Sequence, residues 1–126
     1  MTKQQKSEAI ALLLADCQTR YFYMRLDKEA NTSETCALGC LAKAAGIPDE
    51  TLLAACSSYI TCQPIDTSAP VEYQACFDIA KAIWQRFGLT VTEQRTIQII
   101  NDEKKDRDKR VNAVCGYVAD LETTED

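Results

Sequence analysis

The spacing of apolar residues along the chain predicts helices almost throughout. Thr2 to Gln5 has the pattern of a capping box, in which a threonine and a glutamine three residues later cap a helix start. Apolar residues then recur every three or four positions through about Leu26, which predicts one long amphipathic helix. They are Ile10, Leu13, Leu14, Cys17, Tyr21 and Met24. The polar stretch from Asp27 to Ser33 predicts a connector.

The least polar long stretch, Thr35 to Gly46, organises the rest of the predicted fold. It consists mostly of small residues and, as a helix, places four apolar side chains on one face: Ala37, Cys40, Leu41 and Ala44. We therefore expect a central packing helix, with longer helices laid over it. Asn31 with Glu34, or Ser33 alone, fits its N-cap. The glycine at its end fits a C-terminal cap.

Two further helices follow in the first three quarters of the chain. Pro48, Asp49 and Glu50 suit the first turn of a helix, since acidic residues are favourable at its positive end. Thr61 to Ala69 reads as a loop. Pro70 then opens a long helix that ends at Gly88. Its apolar stripe predicts that aromatic side chains supply most of the buried area of the core: Tyr73, Cys76, Phe77, Ala80, Ile83, Trp84 and Phe87.

The last part of the chain predicts two more helices and a short tail. Thr90 to Glu93 is a second capping box, and the segment after it runs to Ile100. Residues 91–100 fit a helix, although the alternation at 97–99 also fits a strand. Asp106 or Asp108 suits the cap of a final helix, and 122–126 predicts a frayed acidic tail. The whole of 1–126 thus predicts one all-α domain, a compact bundle of about five to six helices.

Composition limits the classes of protein that this chain can represent. Basic residues number 14 against 19 acidic ones, a net charge of −5, which disfavours direct nucleic-acid binding and favours a protein partner with a basic surface. No apolar run is long enough for a membrane span, and no signal-peptide pattern is visible. The seven cysteines fall mostly on apolar helical faces. We therefore expect reduced thiols and a cytoplasmic location.

Candidate chemistry is sparse. The chain has no histidine, which removes histidine-dependent hydrolases and most zinc enzymes. A four-thiolate metal site is disfavoured because the cysteine spacings do not match zinc knuckles; the four are Cys36, Cys40, Cys56 and Cys62. Cys36, in the first turn of the central helix, is a weak candidate nucleophile. Asn101 and Asp102 are weak candidate partners for it, although a turn between helices is the simpler interpretation. The basic-rich segment 104–110 predicts a solvated helix start.

Several short motifs resemble those of a group of small, mostly uncharacterised phage and prophage proteins. The motifs are Tyr21 to Leu26, Cys36 to Leu41, Ile100 to Asp102 and the helix from Val111 to Leu121. The chain departs from the group's pattern at Thr35 and Cys40, and after Asp102, where charged residues replace a glycine-containing link. The resemblance implies a mobile-element accessory protein and supplies no catalytic residues. The Cys-x-Leu-Gly and Asn-Asp motifs fit either folding or active-site roles.

These observations favour a non-enzymatic protein that binds another protein in a bacterial host cell. The most concrete version is a phage or mobile-element inhibitor of a bacterial defence system, similar to an anti-CRISPR, whose partner is a host protein or nuclease complex. The predicted contact surface comprises acidic residues and the 61–69 loop; the acidic residues are Glu93, Asp102, Glu103 and Asp106. The alternative is a small cysteine-dependent hydrolase or a small-molecule or nucleotide-binding protein that uses Cys36 with Asn101 and Asp102. We expect no cofactor, and a homodimer is compatible with the wide apolar helix faces.

Overall fold

The computed structural model describes residues 1–17, 36–55 and 71–124. These residues form six helices and no strand, which confirms the predicted all-α bundle. The helices are α1 (Lys3–Asp16), α2 (Ala37–Ala44), α3 (Asp49–Ala55), α4 (Val71–Phe87), α5 (Val91–Glu103) and α6 (Arg107–Asp120). None of the described helices is long and apolar enough to cross a membrane.

α1 begins as predicted and ends earlier than predicted. The Thr2 side chain accepts from the Gln5 N–H at 3.1 Å, and the Gln5 side chain accepts from the Thr2 N–H at 2.8 Å. The prediction of one helix through Leu26 is wrong, because the helix ends at Asp16 and Cys17 is extended. The Arg107 guanidinium of α6 donates hydrogen bonds to the carbonyls of Leu14 and Cys17. In a longer helix, these carbonyls would accept from the N–H groups of the next turn. The rest of the predicted helix, the connector and the predicted caps of the central helix lie outside the described residues.

α2 is the central packing helix that the sequence predicts. Its first six residues, 37–42, are all buried, and it packs against α1, α4 and α5. Ala44, at its end, is exposed, contrary to prediction. The N-cap position is occupied by Cys36, and not by Asn31 or Ser33, and the Cys36 side chain makes no capping hydrogen bond. Gly46 follows with a φ of 92°, a conformation that favours glycine, so it terminates the helix as predicted.

α3 begins at the predicted position, and α4 begins and ends near the predicted positions. α3 carries Asp49 and Glu50 in its first turn, and Gly88 follows α4 with a φ of 72°. A Cβ at this glycine would lie 2.8 Å from the Met1 Cα, so the close approach of the chain's first residue also requires glycine here. The predicted 61–69 loop lies outside the described residues.

The expectation that aromatic side chains dominate the core is wrong for the described residues. Phe87 is fully buried, but Trp84 is 54% exposed and Phe77 37% exposed. The buried face of α4 is centred on residues 76, 79 and 83, and each of the two exposed aromatics is one residue, about 100° of helix rotation, beyond it. Aliphatic side chains, alanines and cysteines therefore make up most of the core.

α5 and α6 correct two predictions about the last third of the chain. The second capping box forms, with the Thr90 side chain accepting from the Glu93 N–H at 3.1 Å. The strand alternative at 91–100 is wrong, since α5 is a continuous helix. The turn interpretation of Asn101 and Asp102 is also wrong, because a buried stripe at 94, 97 and 101 extends the helix to Glu103. α6 starts with Asp106 as its N-cap, and the tail reaches Thr124, whose N–H donates to the Met1 carbonyl at 2.9 Å.

Candidate functional site

The side chain of Asn101 joins two helices that are distant in sequence. Its Oδ1 accepts from the Ala37 N–H at 3.3 Å, and this hydrogen bond is buried. Ala37 is the first residue of α2, so α5 supplies the capping group that Cys36 does not. The Asn101 Nδ2 donates to the Asp102 carboxylate at 3.2 Å. The two sequence motifs, Cys-x-Leu-Gly and Asn-Asp, therefore meet in one structural contact.

This contact brings together the three residues of the predicted cysteine-dependent site. Cys36 directly precedes the capped N–H. Burial raises the pKa of its thiol to about 12, the Gly39 and Leu38 N–H groups lower it, and the charge of Asp102 makes a small further contribution that raises it. Cys36 is only 3% exposed. The thiol is therefore protonated and covered near neutral pH, which is unfavourable for a nucleophile.

Two arginines of α6 contact the end of α1 and the turn between α5 and α6. Arg107 donates from Nε to the Cys17 carbonyl at 3.0 Å and from Nη2 to the Leu14 carbonyl at 2.8 Å. Arg110 is 2% exposed and donates from Nη1 to the carbonyls of Lys104 and Lys105. Its Nε has no partner among the described residues. These guanidiniums tie the end of α1 and the α5–α6 turn to the start of α6.

The burial of Arg110 corrects the prediction that the whole basic segment 104–110 is a solvated helix start. The sequence could have indicated this burial. Arg110, Val114 and Val118 follow one another at intervals of four residues and share the buried face of α6. Cys17 lies beside the guanidinium. Burial raises the pKa of the Cys17 thiol, whereas the hydrogen bond and charge of Arg110 and the charge of Arg107 lower it.

The four predicted binding residues do not occupy one surface. Glu93 lies in the first turn of α5 and accepts from the Thr90 N–H. It is nine residues before Asp102, which is about 14 Å along the helix and half a turn around it. Asp106 accepts from the Lys109 N–H as the cap of α6. Asp102 and Glu103 are both exposed and are adjacent at the end of α5.

The same end of α5 also carries an exposed apolar side chain which the sequence reasoning did not select. Ile99 is 54% exposed and lies three and four residues before the two carboxylates, so the three side chains are neighbours on the outer face of α5. We call Ile99, Asp102 and Glu103 the α5 patch. The sequence did indicate this exposure: Ile97 and Ile100 are three residues apart and share one side of the helix, whereas Ile99 lies off that side.

No two of the described cysteines are joined by a disulfide; they are Cys17, Cys36, Cys40, Cys76 and Cys115. Within the part of the chain that the structure describes, no group of three or more histidine, cysteine, aspartate or glutamate residues is arranged to hold a metal ion. Cys56 and Cys62 of the disfavoured four-thiolate site lie outside that part.

Comparison of the chain with models of known families, with curated proteins and with solved structures gave no match.

Proposed function

We propose that this chain is a protein-binding protein that uses the α5 patch as its contact surface. The observation that supports this most is the exposure of Ile99 beside two carboxylates. A large apolar side chain that is 54% exposed is available to fill a pocket on a partner. The adjacent Asp102 and Glu103 supply a charged rim that fixes orientation and speeds association.

The charge of the patch and of the chain favours a partner with a basic surface. The net charge of −5 attracts such a surface at long range, and the patch presents two negative charges at short range. Proteins that bind nucleic acid have basic surfaces. Together with the resemblance to phage proteins, this favours a phage or mobile-element inhibitor of a bacterial defence nuclease, similar to an anti-CRISPR, as the concrete form of the proposal.

The test is an affinity capture from bacterial lysate with a charge-reversed patch and a matched control. The test variant is Asp102→Lys with Glu103→Lys, at the end of α5. The control is Asp120→Lys with Glu122→Lys, which makes the same change in net charge at the end of α6. Both replace acidic residues near a helix C-terminus, where lysine is tolerated. Glu93 and Asp106 are left intact because each caps a helix.

We expect one stoichiometric protein, identified by mass spectrometry, to be captured by the native chain and by the control. The patch variant should lose it, with an affinity at least about tenfold weaker by calorimetry on the purified pair. Circular dichroism must show all three chains equally folded. Equal capture by the patch variant, or no captured protein with any chain, would contradict the proposal.

A cysteine-dependent enzyme is the second candidate, because the structure does bring Cys36, Asn101 and Asp102 together. The environment of Cys36 is unfavourable for a nucleophile, since burial covers the thiol and raises its pKa to about 12. Thiol labelling at pH 6 separates the two functions. Selective, rapid labelling of Cys36 would favour the enzyme, and labelling no faster than at the other six cysteines would favour the binding protein.

A further inference from the structure

The two carboxylates of the α5 patch are held in different ways. The Asp102 Oδ1 accepts from the Asn101 Nδ2 at 3.2 Å, and this bond is partly buried. No hydrogen-bond or ion-pair partner of the Glu103 side chain lies among the described residues. Both side chains are exposed, so exposure does not distinguish them. The difference between them is the attachment of Asp102 to a buried neighbour.

That neighbour, Asn101, has a fixed orientation. It is 1% exposed, and its Oδ1 accepts from the buried Ala37 N–H at 3.3 Å at the start of α2. An asparagine amide has one accepting end and one donating end. The opposite orientation would therefore place its NH2 group against the Ala37 N–H and its oxygen against the Asp102 carboxylate. Both contacts would then be repulsive, so the contact with α2 directs the donating end of Asn101 towards Asp102.

The bond to Asn101 leaves Asp102 able to bind a partner. A carboxylate has two oxygens with about four acceptor sites, and Asn101 uses one of them. A basic side chain of the partner can therefore approach the Asp102 Oδ2 while Oδ1 keeps its bond. Because the carboxylate is already held, it loses less rotational freedom on binding than an unattached side chain does. Charge-assisted hydrogen bonds also add geometric specificity, so a held carboxylate fixes the position of the basic group that it binds.

We propose that Asn101 is a positioning residue of the α5 patch, which holds the Asp102 carboxylate in place for a basic side chain of the partner. Ile99 and Asp102 are three residues apart on α5, so the partner should carry that basic side chain next to an apolar pocket. Glu103 adds negative charge without this attachment. The inference rests on the proposed function, because it needs a partner at the α5 patch.

A double-mutant cycle on binding tests the positioning, with the protein captured by the native chain as the probe and calorimetry as the assay. Asn101→Ala should weaken the affinity about three- to tenfold, although Asn101 is too buried to touch the partner. Asp102→Ala should weaken it at least about tenfold. The variant with both changes should bind no more weakly than Asp102→Ala, because Asn101 then has no carboxylate to hold. A general loss of structure would instead weaken binding in both backgrounds.

Glu103 supplies the matched control cycle. Asn101→Ala with Glu103→Ala should weaken the affinity by the product of the two separate effects, because residues two apart on a helix do not face each other. Asn101→Ala also removes the cap of α2, so circular dichroism checks that each variant is folded at the assay temperature. A comparison that keeps the cap gives a second test: Asp102→Ala should weaken binding at least about threefold more than Glu103→Ala.

The outcomes separate the positioning role from the proposed function. No captured protein, or an affinity that neither carboxylate affects, would overturn both. A captured protein whose binding depends on the carboxylates, with independent effects of Asn101→Ala and Asp102→Ala, would overturn the positioning role and leave the proposed function standing. Equal losses of affinity for Asp102→Ala and Glu103→Ala would do the same.

Discussion

The contact between Asn101 and the start of α2 gives a prediction whose size can be worked from the structure. Asn101→Ala removes the only side-chain acceptor described for the Ala37 N–H and leaves that group buried. Loss of a helix cap costs about 1 kcal/mol, and a buried N–H without a partner costs 1–3 kcal/mol as an order of magnitude. Since these describe the same lost bond, they are not added. We expect the loss of this hydrogen bond, taken by itself, to cost about 2 kcal/mol of the free energy of unfolding.

Alanine also has a higher helix propensity than asparagine, which offsets part of this loss. Asn112→Ala corrects for that gain, because Asn112 lies exposed in the interior of α6. This control should be neutral or more stable by about 0.5 kcal/mol. The two variants should therefore differ by about 2 kcal/mol, which corresponds to a melting-temperature difference of about 6–10 °C for a chain of this length.

The assay is urea unfolding followed by far-ultraviolet circular dichroism, with the transition midpoint and its slope fitted for each variant. The midpoint of Asn101→Ala should fall while its slope stays the same. Stabilities of the two variants within about 0.5 kcal/mol of each other would refute the reasoning, since the Asn101 cap would then contribute nothing beyond propensity.

Two further predictions concern backbone and thiol chemistry. Gly88→Ala should destabilise the chain more than Gly46→Ala by thermal unfolding: both glycines have a positive φ, but a Cβ at Gly88 would meet Met1 whereas nothing lies within 4 Å at Gly46. Equal losses would show that the Met1 contact is unimportant. The raised pKa of Cys36 means that the folded state keeps a proton which the unfolded state releases between pH 9 and about 12. The free energy of unfolding should therefore fall with rising pH in that window, by up to about 1.4 kcal/mol per pH unit for this thiol. Cys36→Ala should show a shallower decline, and an identical decline would contradict the raised pKa.

Most of the helices could be predicted from sequence, but their partners could not. The capping boxes at Thr2 and Thr90 each involve a hydrogen bond between residues three apart, so a short motif contains all of the information. The ends of α2 and α4 depend on Gly46 and Gly88, which follow the helices directly, so this information is also contained in a short stretch of sequence. The end of α1 was predicted too late, because it depends on Arg107, which is 90 residues from the Cys17 carbonyl that it contacts.

The candidate site shows the same division. The sequence selected Asp102 and Glu103 as acidic and surface-facing, and both side chains are exposed. It grouped them with Glu93 and Asp106, although the capping motifs at Thr90 and Asp106 had already assigned these two carboxylates to helix starts. It also assigned Trp84 to the core, since a helical stripe shows which residues share a side of the helix but not where the buried region of that side ends.

The sequence by itself thus determined the helical class, the start of nearly every described helix and the central position of α2, since these follow from local hydrogen bonding and apolar spacing. Only the tertiary structure decided that Asn101 caps α2, that Arg110 is buried and that Trp84 and Ile99 face outward. Those outcomes depend on which helices pack together. A side chain is buried or capping only when a neighbour that is distant in sequence covers it or supplies its hydrogen-bond partner.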